Sequence, residues 1–344
     1  MKESVDPAVI RTFRVGDGSE IAQAWTAAAP GDGISYDRFR DLVLLDRNFD
    51  AAGLFVAELN GEIVGSAYSV RRRIAVEADD LQRTSGWIPY FFVRPEVRGR
   101  GIGVALVLAA LHWLKAQGAT TVYFSSYTPN YFLPGLDSER YPEAGALLKS
   151  LGFEVLYESV AMDRSLNNYS IPNDIRDKIS GLRANGYYFG TPTNDDLVDL
   201  IDIAGSRFNP DWSRAIREAI LNGLPLERIL FARSPQRTIL GWAMHGTYER
   251  MIERFGPFGV LPESRGTGLG EILLHLTLER MRAVGAHNAW FLWTDQESAA
   301  GHLYSKTEFR VTRTFTIMRA LLSGAPDSET VEGEHELNNR IERQ

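Results

Sequence analysis

Apolar and polar positions follow the same order twice along the chain. Each half begins with a short apolar run and continues with two segments in which apolar residues recur every three or four positions. A strand-like meander follows, and then two helical segments separated by a buried apolar run. The pattern therefore predicts two domains of one design, each with helices and a mainly antiparallel sheet.

The periodicity predicts individual elements in both halves. In the first half we expect strands at residues 10–15, 53–59, 62–74, up to 93, 121–124 and 153–162, and helices at 18–29, 35–47, up to 118 and up to 152. In the second half we expect strands at 187–189, 229–232, 239–247, up to 260, 289–294 and 309–318, and helices at 194–204, 211–221, up to 284 and 298–306.

Length and local composition predict the domain boundaries. A chain of 344 residues is long enough for two domains that each bury a core. We expect an N-terminal domain over residues 1–165, a connection over 166–184, a C-terminal domain over 185–322 and a polar tail over 323–344.

One motif occurs in both halves at the same place, between the third strand of the meander and the next helix. Residues 93–103 and 260–270 both read Val-x-Pro-Glu-x-Arg-Gly-x-Gly-x-Gly. Closely spaced glycines let the backbone turn its N–H groups inward, and a helix N-terminus attracts phosphate. The two copies therefore indicate two anion-binding loops.

The copies also locate an insertion in the first half. The loops lie 167 positions apart, whereas Phe153 and Phe309, which start the final strands, lie 156 apart. The first half therefore carries 11 additional residues, which we expect within residues 129–141.

Two common phosphate-binding motifs do not match these loops. A P-loop requires Gly-Lys followed by Ser or Thr, which neither copy contains. A dinucleotide-binding motif requires Gly-x-Gly-x-x-Gly after the first strand of a βαβ unit, whereas these loops follow a meander.

The Arg-x-x-Gly-x-Gly sequence after an antiparallel meander resembles the GNAT (Gcn5-related N-acetyltransferase) superfamily, specifically its tandem members. The resemblance covers about residues 8–163 and 185–320. It implies an α/β protein of the α+β type with two tandem GNAT folds, each a mixed, largely antiparallel splayed sheet flanked by helices. It also implies acetyl-CoA, or another acyl-CoA, as cofactor.

The resemblance also predicts the residues that contact the cofactor. In this family the loop binds the coenzyme A diphosphate through backbone N–H groups, and the pantetheine arm follows the third strand. Pro89 and Pro257 interrupt these strands and favour a bulge there. The predicted cofactor-binding residues are Phe91, Phe92, Val93, Arg98, Gly99, Arg100, Gly101, Ile102, Gly103 and Val104 in the first half, and Phe258, Val260, Arg265, Gly266, Thr267, Gly268, Leu269 and Gly270 in the second.

One catalytic residue is predicted by the same resemblance. The fourth GNAT helix often ends in Ala-x-x-Leu-Tyr-x-x-x-Gly-Phe, and its tyrosine assists departure of the coenzyme A thiolate. Tyr304 occupies that position in the second half, although Glu308 replaces the glycine. The first half has Leu148 there, which has no proton to donate. We therefore expect a catalytic C-terminal domain and an N-terminal domain that binds acyl-CoA without turnover.

The remaining site residues are less well defined by sequence. His245, Glu249 and Glu253 are candidate general bases, although each residue type is also common away from active sites. Phe208, Asp211 and Trp212 are candidates for lining the acceptor pocket, or for ordinary helix packing.

Composition narrows the classes of partner. The net charge of −7 argues against a broad nucleic-acid surface. The chain has no cysteine, no histidine pair at metal-binding spacing, no apolar run of membrane-spanning length and no signal-peptide pattern at its N-terminus. We expect a cytoplasmic protein with no metal and no membrane partner, of unknown oligomeric state.

The sequence therefore favours an acyl-CoA-dependent N-acyltransferase that acts on an amine of a small molecule, in secondary metabolism such as antibiotic biosynthesis. Two alternatives stay open. One is a non-catalytic acyl-CoA binding or sensing protein, and the other is a peptide or protein N-acetyltransferase.

Overall fold

The computed structural model describes residues 7–75 and 81–322, which form two compact units. The first unit runs to Ser159 and resumes at Thr314, and the second extends from Val160 to Arg313. The predicted tail, residues 323–344, lies outside the described residues.

The N-terminal half contains six strands and four α-helices within its described residues. They are β1 (Val9–Thr12), α1 (Asp17–Ala28), α2 (Tyr36–Phe39), β2 (Leu54–Leu59), β3 (Glu62–Val70), β4 (Ser85–Val93), α3 (Ile102–Ala116), β5 (Thr121–Phe124), α4 (Pro142–Ser150) and β6 (Glu154–Ser165). The predicted second helix is the one that differs most, since α2 continues only as a π-helical turn over Arg40–Leu44.

The C-terminal half repeats this order after one additional helix. Its elements are α5 (Asn173–Ala184), β7 (Tyr188–Gly190), α6 (Leu197–Arg207), α7 (Pro210–Leu221), β8 (Ile229–Arg233), β9 (Ile239–His245), β10 (Phe255–Val260), α8 (Leu269–Ala283), β11 (Asn288–Thr294), α9 (Ala299–Lys306) and β12 (Arg310–Leu321).

The sheets are mixed but largely antiparallel, which confirms the predicted fold class. In the first unit the strand order is β1-β2-β3-β4-β5-β12, and β4 and β5 are parallel. In the second unit β7, β8, β9 and β10 form an antiparallel meander, while β11 pairs with β6.

The third meander strand of each unit is splayed away from the strand that follows it in the fold. Strand β4 pairs with β5 only as far as Ile88, the residue before Pro89. Arg254, the residue before β10, makes an isolated bridge to Trp290 of β11, and the pairing of β10 with β9 shifts register between Phe255 and Phe258. The C-terminal part of both strands therefore has an open edge.

Helices cover both faces of each sheet. In the first unit α3 packs on one face, and α1 and α2 pack on the other around Trp25 and Tyr90. In the second unit α8 packs on one face around Phe291, and α6 and α7 cover the other around Trp242.

Two predicted boundaries differ from the structure. The expected connection, residues 166–184, contains helix α5, whose Ile175 and Ile179 are buried in the core around α8. Apolar residues four positions apart share one helix face, so this short stripe is enough to bury the segment in the second unit. The final strands also differ from the predicted domain boundaries. Strand β6 belongs to the second unit from Val160 onward, and β12 belongs to the first unit from Thr314 onward.

Candidate functional site: two glycine loops and one buried tyrosine

The two glycine loops have nearly the same backbone conformation. Gly99 and Gly101 have φ of 76° and 79°, and Gly266 and Gly268 have φ of 75° and 83°. A Cβ atom added to any of the four would meet no atom within 4 Å. Glycine is therefore required by the left-handed backbone and not by crowding, and the space beside the loops is open.

Both loops present backbone N–H groups without a protein acceptor. The first helical hydrogen bonds run from Ala105 N to Gly101 O (3.0 Å) and from Ile272 N to Gly268 O (3.1 Å). Within the described chain, no backbone carbonyl accepts from the N–H groups of residues 99–104 or 266–271. These donors, together with the helix macrodipole, suit an anion such as a diphosphate.

The third glycine of each motif lets the fourth helix of the unit approach the loop. A Cβ on Gly103 would lie 3.0 Å from Leu147 Cδ1 on α4, and one on Gly270 would lie 3.4 Å from Leu303 Cδ2 on α9. The residues next in sequence are Leu148 and Tyr304. In each unit the predicted catalytic position therefore directly follows, in sequence, the leucine that contacts the third glycine of the loop.

The arginine side chains of both loops donate hydrogen bonds to backbone carbonyl groups. Arg98 Nε donates to Val93 O at 3.1 Å, and its Nη2 donates to Ala28 O at 2.8 Å. Arg265 Nε donates to Val260 O at 3.4 Å. Both side chains therefore connect the loop to the end of the preceding strand, and direct contact with a cofactor stays a prediction.

The other predicted loop residues divide by exposure. Arg100 and Thr267 are exposed, and the Thr267 hydroxyl donates to Ser264 O at 2.6 Å. Ile102 and Leu269 are buried as the first residues of their helices. Val104 is 37% exposed, so it supplies an apolar surface beside the first loop.

The predicted strand residues alternate between the two faces. Phe91 packs against Phe124, with ring centroids 5.7 Å apart, and Val93 lies in the core beneath α3. Phe92 points to the other face, where its ring is 5.7 Å from that of Trp25. All three residues lie beyond Ile88, where β4 no longer pairs with β5, and contact of their backbone with a cofactor stays a prediction.

In the second unit both strand residues lie beside α8. Phe258 and Val260 are partly buried against its core, and Phe258 Cζ would be 3.6 Å from a Cβ on Gly270.

Tyr304 lies in an aromatic shell. Its ring centroid is 4.4 Å from that of Phe291, 5.5 Å from Phe309, 6.0 Å from Phe255 and 6.1 Å from Phe258. Among the described residues, no group hydrogen-bonds its hydroxyl. Burial raises the pKa of the Tyr304 hydroxyl above its usual value, so the phenol is protonated at neutral pH.

A charged cluster beside the second loop was missed by sequence reasoning. Glu271, in the first turn of α8, accepts Lys306 Nζ at 2.8 Å and Lys178 Nζ at 3.1 Å. These ion pairs lower the pKa of the Glu271 carboxyl, against the effect of its partial burial. The equivalent residue in the first unit is Val104. The sequence contained one indication of this cluster, since Lys178 and Lys306 are the two lysines between Val160 and Arg313.

The candidate bases have other roles in the fold. Glu249 pairs with the buried Arg254 at 2.9 Å. Glu253 accepts the backbone N–H groups of His287 (2.8 Å) and Asn288 (3.1 Å) at the start of β11. Burial lowers the pKa of His245 to about 4, and its Nδ1 lies 3.0 Å from Ile252 O. The carboxylates of Glu249 and Glu253 thus both have partners within the protein.

The acceptor-pocket candidates form an aromatic group on the other face of β10. Phe208 stacks on Trp212 at 5.6 Å and meets Trp242 edge-on at 4.9 Å. A Cβ on Gly259 would clash with Phe208 and Trp242 at 2.9 Å, so this group packs directly on the splayed strand. The backbone N–H of Asp211 donates to Asn209 Oδ1 at 2.8 Å at the start of α7.

Two features of the described residues concern membranes and metal ions. No helix among them combines the length and apolar character needed to cross a membrane. Residues 7–75 and 81–322 contain no group of three or more His, Asp or Glu side chains arranged to hold a metal ion.

The loops, the splayed strands and the meander define an acetyltransferase fold, and comparison with known proteins agrees. The acetyltransferase (GNAT) family model matches residues 20–132 and again residues 197–309. The chain therefore belongs to the GNAT family and contains two copies of its domain, which confirms the resemblance found in the sequence.

Individual relatives share parts of this plan. A mycothiol acetyltransferase of Thermobispora bispora is 32% identical over 117 residues, which are 33% of this chain and 39% of the relative. The match thus spans well under half of that protein.

Two solved structures are similar over most of the chain. One is described as a GCN5-related glucosamine N-acetyltransferase region of a fungal multi-domain β-N-acetylglucosaminidase (TM-score 0.76, 18% identity, 92% of this chain and 38% of that one). The other is a tandem GNAT protein from the clavulanic acid biosynthesis pathway (TM-score 0.63, 15% identity, 93% of this chain and 100% of that one). At these identities the likeness concerns the fold.

Proposed function

We propose that this protein is an acyl-CoA-dependent N-acyltransferase that moves an acyl group, such as acetyl, from coenzyme A to an amine of a small molecule. In this proposal the C-terminal unit is catalytic and the N-terminal unit binds acyl-CoA without turnover. The observation that carries it is Tyr304, a buried phenol with no protein hydrogen-bond partner in the described chain, beside a glycine loop. Leu148 occupies the same position in the other unit.

The residues of the C-terminal unit suit the parts of the reaction. When bound, acetyl-CoA supplies the acyl group as an activated thioester. The free N–H groups of residues 266–271 would bind its diphosphate, and the open edge of β10 would orient its arm. Phe255, Phe258 and Phe291 surround the Tyr304 ring with apolar surface.

Tyr304 is better suited to donate a hydrogen bond than to transfer its proton fully. A free phenol has a pKa near 10 and a thiol near 8.5, so full transfer to a thiolate is uphill by roughly 2 kcal/mol even before burial. Burial raises the Tyr304 pKa further. A hydrogen bond to the developing negative charge lowers the barrier without that transfer.

Two comparisons support a small-molecule acceptor and a role in secondary metabolism. One relative is named mycothiol acetyltransferase, and a tandem GNAT protein from the clavulanic acid biosynthesis pathway has a similar fold. A non-catalytic acyl-CoA binding protein is the second candidate, and Leu148 favours it for the N-terminal unit.

The test is Tyr304→Phe in the full chain, assayed with acetyl-CoA and a panel of amines that includes amino sugars. The ring and its packing are kept, so acetyl-CoA affinity should change little, whereas kcat should fall about 10²-fold through loss of the hydroxyl. Tyr169→Phe, at a buried tyrosine elsewhere in the same unit, is the control and should keep full kcat. An unchanged kcat in Tyr304→Phe, with chemistry rate-limiting, would assign Tyr304 to packing.

A further inference from the structure

The N-terminal unit carries a segment that the C-terminal unit lacks. Residues 126–141, the inserted segment, lie between β5 and α4, whereas residues 295–298 alone join β11 to α9. The inserted segment contains the region where 11 additional residues were expected from the sequence. It has no helix or strand of its own, yet it is well anchored.

Phe132 of the inserted segment fills the face of β4 opposite α3. It is 6% exposed, and its ring lies 4.8 Å from that of Trp25 and 5.9 Å from that of Tyr90. The Arg38 guanidinium lies over the same ring, 5.5 Å from its centroid. Tyr90 directly follows Pro89, where pairing with β5 has ended, so Phe132 covers the place where the sheet splays.

Polar contacts hold the segment on one side of this position. Tyr127 donates to Asp46 Oδ1 at 3.1 Å and accepts from Asn48 Nδ2 at 2.9 Å, and Asn130 donates to Asp46 Oδ2. Arg72 donates to the Thr128 hydroxyl at 3.0 Å. Asp46, Asn48 and Arg72 are all buried, so these bonds are shielded from water.

Contacts further along hold the other end. Leu136 and Thr316 of β12 exchange two backbone hydrogen bonds of 2.9 and 2.8 Å. Tyr141 donates to Asp32 Oδ2 at 2.5 Å, next to the end of α1. The segment is therefore attached to the sheet on one side and to the α1–α2 connection on the other.

The segment covers the face from which an acceptor would approach a bound acyl-CoA. A diphosphate at the N-terminus of α3 and an arm along the open edge of β4 would occupy the α3 face. A nucleophile would then reach the acyl carbon from the opposite face, beside Tyr90. In the C-terminal unit this opposite face carries Phe208, Trp212 and Trp242 but no counterpart of the inserted segment.

We infer that the inserted segment, with Phe132 as its central side chain, shields an acyl thioester bound in the N-terminal unit and excludes the amine. This inference rests on the proposed binding of acyl-CoA by that unit. The N-terminal unit is accordingly unproductive for two independent reasons, because it lacks the catalytic hydroxyl and because its acceptor face is filled by its own chain.

The experiment measures the chemical reactivity of the bound thioester rather than turnover. Gly268→Glu, which places a carboxylate in the second loop, removes the C-terminal cofactor site from the full chain. Acetyl-CoA bound to this variant is then treated with hydroxylamine. The amine attacks the thioester carbonyl, the C–S bond breaks, and the products are acetohydroxamate and the coenzyme A thiol, which a thiol reagent measures.

We expect the bound thioester to react about tenfold or more slowly than free acetyl-CoA, because reaction requires local opening of the segment. Adding Phe132→Ala should bring the rate to within about threefold of the free rate, since the cavity admits the amine. Phe153→Ala, a similarly buried phenylalanine at the start of β6, is the control and should stay protected. Replacing residues 129–139 by a short glycine linker is a second way to remove the cover, and should also abolish protection.

Each outcome separates this inference from the proposed function. If Gly268→Glu retains one equivalent of acetyl-CoA, but the thioester reacts at the free rate or Phe132→Ala leaves it protected, the shielding role is wrong and cofactor binding stands. If calorimetry finds no acetyl-CoA on Gly268→Glu while wild type binds one equivalent, the N-terminal unit is not a cofactor site and both ideas fail for it.

Discussion

The two units have the same glycine loop but differ at three places around it. Gly101 and Gly268 start their helices with φ of 79° and 83°, and the third glycines both contact a leucine of the next helix. The N-terminal unit has Leu148 where the C-terminal unit has Tyr304, and Val104 where it has Glu271. The N-terminal unit also has the inserted segment, which the C-terminal unit lacks.

This comparison indicates which features can change without loss of the fold. The loop conformation is fixed by backbone geometry and needs glycine, so it is retained in both copies. The residues at the positions of Tyr304 and Glu271 and the inserted segment differ between the units, whereas the strands and helices follow the same order. Under the proposed function, cofactor binding and turnover can therefore diverge between two copies of one domain.

The largest difference between the units should come from breaking each loop in turn. Gly268→Glu forces a non-glycine residue into a left-handed conformation and adds negative charge where phosphate binds. Acyl transfer at subsaturating acetyl-CoA should fall roughly 10²- to 10³-fold. Gly101→Glu should remove one equivalent of bound acetyl-CoA by calorimetry while keeping transfer within about threefold of wild type, since the loops act separately. Equal losses of transfer in the two variants would contradict the division of roles.

Acid should destabilise the C-terminal unit first. Burial lowers the pKa of His245 to about 4, whereas an exposed histidine titrates near 6.5. Between these values the unfolded chain binds more protons than the folded one, so the free energy of unfolding decreases as the pH falls below 6.5. The loss attributable to His245 should be about 2 kcal/mol at pH 5. The equivalent residue of the N-terminal unit is Ser69, which does not titrate.

The measurement is denaturant unfolding at pH 7 and pH 5, followed by hydrogen exchange to assign the unit that opens. His275, whose pKa burial also lowers, adds to the effect in the same unit. His245→Gln should flatten the pH dependence without removing it. Preferential opening of residues 7–159 at pH 5 would be inconsistent with this account.

The smallest expected effect concerns the charge beside the second loop. Glu271→Gln removes a negative charge near the bound diphosphate and should tighten acetyl-CoA binding about threefold, whereas Lys306→Gln should weaken it by a similar factor. Both variants break the same ion pair, so a purely structural role predicts changes in the same direction. Lys149→Gln, at an exposed lysine of α4, is the control, and calorimetry at low and high salt is the measurement.

Features that depend on local backbone chemistry could be predicted from the sequence. The motif at residues 93–103 and 260–270 predicted two glycine loops, because closely spaced glycines before a helix supply the left-handed backbone conformations that such a loop needs. Asn60-Gly61 predicted the turn between β2 and β3. The equivalence of Tyr304 and Leu148 could also be predicted from sequence spacing, since each lies five residues before an equivalent phenylalanine, Phe309 or Phe153.

Features that depend on contacts between residues distant in sequence could not be predicted and became visible in the folded protein. Lys178 reaches Glu271 across 93 positions, and Asn130 reaches Asp46 across 84, and no local pattern encodes either pair. The assignment of β6 to the second unit and of β12 to the first could not be predicted either. The apolar pattern of a strand indicates which face is buried but not which strand pairs with it. The sequence located the insertion, but its burial against Trp25 and Tyr90 follows from the space between α1 and the splayed strand, which exists only once the sheet has formed.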